Sequence, residues 1–233
     1  VRWSASSLQH HCAYPNVLSK LVPKSASNKK ACDKGSLFHQ SVATWIAEDL
    51  EDPPDTLDAE VNGWLRALAA QWGPTGGFAE VPLGLDVAGS YVAVTETEPH
   101  VYAPLSKLAT PLLTAGRADL ASSVNGVAVV RDWKTGRHAN MDVRQSLQLT
   151  ALAFAAASMF GVDAFVRELY WTRDGRTYAD AEPIALDSEA AADAWAMLEK
   201  AARLDEKPHP GEHCSQCWES RLKRCTFAAG KAA

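Results

Sequence analysis

Asn125-Gly126 lies between Leu120-Ala121-Ser122-Ser123-Val124 and Val127-Ala128-Val129-Val130. Asn-Gly between apolar runs signals a two-residue β-hairpin, because both loop positions of its favoured turn need positive φ. With those two residues as the loop, Val124 faces Val127, and counting outward sets Asp119 opposite Asp132. Opposed residues share a face, with Cβ atoms about 5 Å apart. Lys134 stands two residues beyond Asp132 and so points the same way. The register of one hairpin thus commits two carboxylates and an amine to one place.

Two carboxylates this close repel as anions unless a cation lies between them. Hard oxygen donors favour magnesium or manganese over zinc. Such an ion lowers the pKa of a bound water and offsets charge building on a phosphate, and Lys134 can orient the water or stabilise the transition state. The competing reading is a surface hairpin with a mixed ion pair. Against it, Val127–Val130 and Leu112-Leu113 read as strands buried on both faces, where unpaired charge is costly.

Asp119 followed by Asp132-x-Lys134 resembles the signature of PD-(D/E)XK nucleases, and in particular their RecB-like branch. That branch includes the RecB and AddB nuclease domains and the CRISPR-associated RecB-like exonucleases. Its four motifs run in the order seen here as Gly35-Ser36-Leu37-Phe38-His39, Gly116-Arg117-Ala118-Asp119, Asp132-Trp133-Lys134-Thr135-Gly136 and Gln148-Leu149-Thr150-Ala151-Leu152-Ala153. The resemblance implies an α/β fold with a restriction-endonuclease-like core, a central mixed sheet flanked by helices. It implies metal ligation by His39, Asp119, Asp132 and the backbone carbonyl of Trp133. Lys134, Asp119, Asp132 and Gln148 take the catalytic roles. Trp133 replaces the usual Tyr, and Leu152 stands where the last motif has its Tyr. The stretch from about Gly84 to Pro111 is longer than is usual in the family and reads as a family-specific insertion.

The cysteines add a second match. Cys214-x-x-Cys217, followed by seven residues and Cys225, has metal-ligand spacing. RecB-like families with an iron–sulfur cluster draw the fourth thiolate from an N-terminal segment that Ser4-Ala5-Ser6-Ser7-Leu8-Gln9-His10-His11-Cys12 resembles. The implied ligands are Cys12, Cys214, Cys217 and Cys225. Four thiolates suit a [4Fe–4S] cluster or structural zinc, and spacing alone does not separate them. The gap before Cys225 is longer than is usual in the family. Cys32 is left over and reads as a small, partly buried residue. A cluster would clamp the chain ends, about 1–30 and 207–227, over a core of about 35–185. Motifs spread from residue 35 to 148, cysteines from 12 to 225 and no long Gly/Ser/Pro linker favour a single domain over residues 1–233.

The net charge of −5 looks wrong for a nucleic-acid enzyme until it is mapped. Residues 48–60 hold seven acids and no base, and without them the rest of the chain stands at +2. Lys20, Lys24, Lys29, Lys30 and Lys34 form a basic run, and Arg221, Lys223 and Arg224 lie among the last cysteines. These either line a groove for a phosphate backbone or are solvated loops. The longest apolar run, Leu149 to Val162, is too short to span a bilayer. No secretory signal is visible, and metal-spaced thiols point to a reducing, cytoplasmic setting.

Hydrophobic periodicity predicts helices over 35–50 and 57–72, with His39 facing inward alongside Val42, Ala43, Ile46 and Leu50. Strands are expected near 78–87, 112–121, 127–134, 164–172 and 176–185. Asn140 or Asp142 is expected to cap a helix running to about 160, and Ser188 the last one. Glu80, on the first strand, reads as a third acidic ligand or, preferably, a surface charge. The function implied is a divalent-metal-dependent deoxyribonuclease, an exonuclease on single-stranded or frayed DNA. Its partners would be a helicase or CRISPR adaptation proteins, with no membrane. The rivals are a non-catalytic nuclease-fold subunit and a zinc-bearing adaptor.

Overall fold

The computed structural model describes residues 4–8, 26–72, 76–98, 100–106, 111–136 and 142–204. A 3-10 turn (Ala5–Ser7) precedes helices α1 (Ala26–Ala47) and α2 (Ala59–Gln71). Strands β1 (Phe78–Asp86), β2 (Tyr91–Glu98), β3 (Val101–Pro104), β4 (Leu112–Val124) and β5 (Val127–Lys134) follow. A second 3-10 turn (Val143–Gln145) leads into α3 (Leu147–Phe160), then β6 (Ala164–Trp171), β7 (Arg176–Ala179), β8 (Ile184–Ala185) and α4 (Glu189–Ala202). The sheet order is β3-β2-β1-β4-β5-β6-β7, with β8 also pairing β6. Among the described strands, all pair antiparallel except β5 with β6, whose connection is α3. This is the mixed α/β sheet flanked by helices that the sequence predicts.

The hairpin forms as predicted. Asn125 and Gly126 both have positive φ, 51° and 77°, and Val124 pairs with Val127. One face of the sheet packs on α3 and α4, where Leu149, Leu152 and Ala156 meet Ala121, Val130 and Leu169. The other face packs on α1 and α2, where Phe38, Val42, Trp45 and Leu65 surround Leu120, Trp133 and Tyr170. Every residue of α3 from Leu149 to Ala157 is buried, which explains an apolar run without amphipathic period. No helix among the described residues is long and apolar enough to cross a membrane.

Two motif glycines are contact points. A Cβ on Gly116 would lie 2.7 Å from the Cβ of Ala5, so its absence lets the N-terminal turn settle on β4, where Ser4 bridges Ala115. A Cβ on Gly35 would lie 2.8 Å from Thr135 Oγ1, so α1 can approach the loop after β5.

Several boundaries differ from expectation. Helix α1 begins at Ala26, and its polar first turns carry Lys29 and Lys30 with no apolar stripe to reveal them. Its buried stripe is Phe38, Val42 and Trp45. Within the stretch after Gly84, β2 and β3 widen the sheet beyond β1 as its edge hairpin, and Val94 and Tyr102 pack on Ala115. Asp142 caps the 3-10 turn, whereas Ser146 caps α3 by accepting from Leu149 N–H. Asn140 lies outside the described residues. The strand expected near 176–185 is two short ones. Lys34 pairs with Asp58 and Glu60 at 3.0 and 2.7 Å, so the acidic connector neutralises part of the basic run.

Gly116→Ala should lower stability by about 1–3 kcal/mol, the usual penalty for overpacking a close contact. Urea unfolding measures this. An unchanged midpoint would show that the N-terminal turn is not seated on the sheet.

Candidate active site

Pairing of β4 with β5 runs from Val124–Val127 to Leu120–Arg131. The next pair in register is Asp119 with Asp132, at the point where the ladder ends. There Asp119 Oδ2 accepts the Trp133 backbone N–H at 2.6 Å, so a side chain takes over the ladder's role. On the other edge of β4, Ala79 pairs with Leu120 and Val81 with Ala118. That register sets Glu80 opposite Asp119. Glu80 adopts a left-handed backbone, φ 50°, which is costly for a residue with a Cβ and typical of functional sites. Glu80, Asp119 and Asp132 therefore stand in a row across three neighbouring strands. A helix from each side of the sheet reaches the row: α1 brings His39, and α3 brings Gln148.

Each acid has a counter-charge. His39 Nδ1 lies 3.2 Å from Asp119 Oδ1 and 3.5 Å from Glu80 Oε1. Burial pulls the imidazole pKa down, but hydrogen bonds to Asp119 and Glu80 outweigh it and raise the value to about 10. Asp132 is only 4% exposed. Burial pushes its carboxyl up to about 6; Lys134 pulls the other way, and Asp119 adds to the rise. Lys134 Nζ sits 2.5 Å from Asp132 Oδ2, so the buried oxygen faces the amine as an ion pair. The other oxygen accepts from Gln148 Nε2 at 3.2 Å. Burial lowers the Lys134 pKa, but Asp132 overrides it and raises the amine, which stays charged.

His39, Asp119, Asp132, Trp133, Lys134 and Gln148 all line one cavity of about 710 Å³. The Trp133 ring turns away from it and packs on Trp72 and Tyr170, so the backbone is what this residue offers the cavity. The potential ligand atoms of His39, Glu80 and Asp119 lie within 4.8 Å of one another. Among the described residues Asp132 joins no such group; it is held by Lys134 and Gln148 instead. Glu80 is thus part of the site and not the surface charge that the sequence favoured. Its left-handed backbone and its register opposite Asp119 come from long-range pairing, which no local motif reports. Cys32 is exposed at the cavity rim, not partly buried. Cys12, Cys214, Cys217 and Cys225 lie outside the described residues.

One imidazole and two carboxylates within a single ion's reach fit a hard divalent cation. Such an ion must displace the proton on His39.

The folded value of His39, about 10, lies above its ordinary 6.5. In metal-free protein its pairing therefore adds stability that is complete below about pH 6.5 and is lost as pH rises through about 10. The gap in urea midpoint between the native protein and His39→Gln should narrow over that range, and a widening gap contradicts the pairing. Calorimetry should also show Mn2+ binding that releases protons and tightens as pH rises.

No curated protein matches the chain. Residues 2–222 match the sequence profile of the PD-(D/E)XK nuclease superfamily. The matched span contains α1, the β4–β5 hairpin, the start of α3 and every residue of the acidic row. By that match over nearly its whole length, this chain belongs to the PD-(D/E)XK nuclease superfamily.

Proposed function

We propose that this chain is a divalent-metal-dependent deoxyribonuclease of the RecB-like branch, hydrolysing phosphodiester bonds in single-stranded or frayed DNA. The observation that carries the reading is one cavity holding Asp119, Asp132 and Lys134 together with His39 and Gln148. A charged amine held against a buried acid in the lining of an open cavity favours activity over a scaffold role.

His39, Glu80, Asp119, Asp132 and the Trp133 carbonyl would hold one or two divalent ions, Mg2+ or Mn2+. When bound, such an ion supplies Lewis acidity, lowering the pKa of water and offsetting phosphate charge. The chain's own residues do the rest. Lys134 keeps its proton and places a fixed positive charge beside Asp132, where it orients a water or stabilises charge on a phosphate oxygen. Gln148 donates to Asp132 Oδ1 and fixes the carboxylate plane. Asp119 ties the hairpin closed through Trp133 N–H.

An end-labelled single-stranded oligonucleotide should be cleaved with Mn2+ or Mg2+ and spared with chelator. Asp132→Asn and Lys134→Gln should each slow cleavage by at least about 100-fold, the scale of a lost electrostatic stabiliser. Circular dichroism should show the fold retained. Native rates in either variant would place the activity elsewhere.

Residues 1–233 form one nuclease domain in this reading, working in the cytoplasm with a helicase or CRISPR adaptation proteins. Cys12, Cys214, Cys217 and Cys225 would hold a [4Fe–4S] cluster, with zinc as the alternative. Support comes from their spacing and from the Ser4–Leu8 segment, which packs beside β4 and α3 a few residues before Cys12. Anaerobically purified protein should be brown, absorbing broadly near roughly 400 nm. Cys12→Ser should bleach it and Cys32→Ser should not. The reverse pattern would overturn the ligand set, and colourless protein with stoichiometric zinc would replace the cluster.

A further inference from the structure

Arg117 is left without a role by the chemistry above. It precedes Asp119 by two residues on β4 and lines the same cavity. Its Nε lies 2.9 Å from Glu80 Oε2, and a terminal nitrogen lies 3.3 Å from Glu96 Oε2. A guanidinium carries five N–H donors in a planar fork, so two carboxylate contacts leave donors unused. The side chain is 45% exposed, whereas Arg167, which serves structure alone, is 2% exposed and enclosed by Asp180 and Thr150.

The anchoring of Arg117 is built. The other oxygen of Glu96 accepts the backbone N–H of His100 at 2.7 Å, at the turn between β2 and β3, where His100 has φ 64°. One carboxylate therefore fixes both the turn and the guanidinium. The same turn brings His100 and Tyr102 to the cavity wall beside Arg117. Burial and the Glu96 charge raise the Tyr102 hydroxyl to about 12, so it stays a neutral donor. Glu80 stands between Arg117 and the His39–Asp119 pair. The guanidinium is thus one carboxylate removed from the cation-binding group, beside the reacting centre.

We infer that Arg117, with His100 and Tyr102 beside it, binds a backbone phosphate of the DNA strand flanking the bond that is cut. The inference rests on the nuclease reading. A planar fork of donors matches phosphate oxygens, and the neighbouring rings offer a hydrogen-bond donor and a stacking face for the next nucleotide.

The test compares native protein, Arg117→Ala and Arg117→Lys on a single-stranded oligonucleotide across a Mn2+ titration. Binding of the same oligonucleotide is followed against salt in a Lys134→Gln background. Arg117→Ala should raise KM by about tenfold, the scale of a lost hydrogen bond to a charged group. The Mn2+ concentration for half-maximal rate should not move. The slope of log affinity against log salt should fall by about 0.7, one phosphate contact on a single strand. Arg117→Lys should restore the slope and only part of KM, because charge returns without the fork. Unchanged KM and slope would overturn the inference. So would a shifted Mn2+ midpoint at constant KM, which would mean that Arg117 serves only to hold Glu80. Failure of the nuclease reading looks different: native protein would leave the oligonucleotide intact at every Mn2+ concentration, and the inference would fall with it.

Discussion

Asp119 has a carboxylate opposite it on each neighbouring strand, Glu80 on β1 and Asp132 on β5. Like charges that close cannot all ionise without compensation, and the surroundings of the row consist of compensation. A half-buried imidazole holds its proton to about pH 10 between Glu80 and Asp119. A lysine is pressed against Asp132, and an arginine shares Glu80 with the imidazole. A backbone N–H and a glutamine amide take the remaining oxygens. In metal-free protein these groups supply the positive charge that the proposed divalent ion would bring.

Placing three acids in line needs register on both edges of β4, and the fold secures each edge differently. The β5 edge is set locally by a two-residue turn whose positive φ values only a few residues tolerate. The β1 edge depends on tertiary packing, because 25 residues separate the two strands. Close approach then brings in the helices. Gly35 lets α1 lie against Thr135, and Gly116 lets the N-terminal turn lie on β4. Both glycines belong to motifs that also carry site residues, His39 and Asp119. Each motif thus joins a steric requirement to a chemical one.

This division explains what was legible. The Asp119–Asp132–Lys134 arrangement follows from counting away from Asn125-Gly126, so sequence reasoning placed it in register. Glu80 was on the predicted strand, but nothing local says which residue of β4 it faces or that its backbone is left-handed. The hairpin of β2 and β3 was missed because its outer residues are polar: Thr95, Thr97 and Glu98 are exposed, and its small core borrows Ala115 from β4. The first turns of α1 were missed because Lys29, Lys30 and Asp33 are exposed and show no apolar period. Ser146 was overlooked as the cap of α3 because a 3-10 turn with its own cap, Asp142, comes just before it.

The central claim is that the acidic row is a cation site and not a network of ion pairs complete in itself. Crystals soaked in Mn2+ and measured for anomalous scattering at a manganese-sensitive wavelength test it directly. A peak should appear within coordination distance, about 2–2.5 Å, of oxygens of Asp119 and of at least one of Glu80 or Asp132, with a His39 nitrogen turned to the ion. Under the same soak, a cavity with no peak, or a peak bound only by surface carboxylates elsewhere while His39 keeps its contacts to Glu80 and Asp119, would contradict the account.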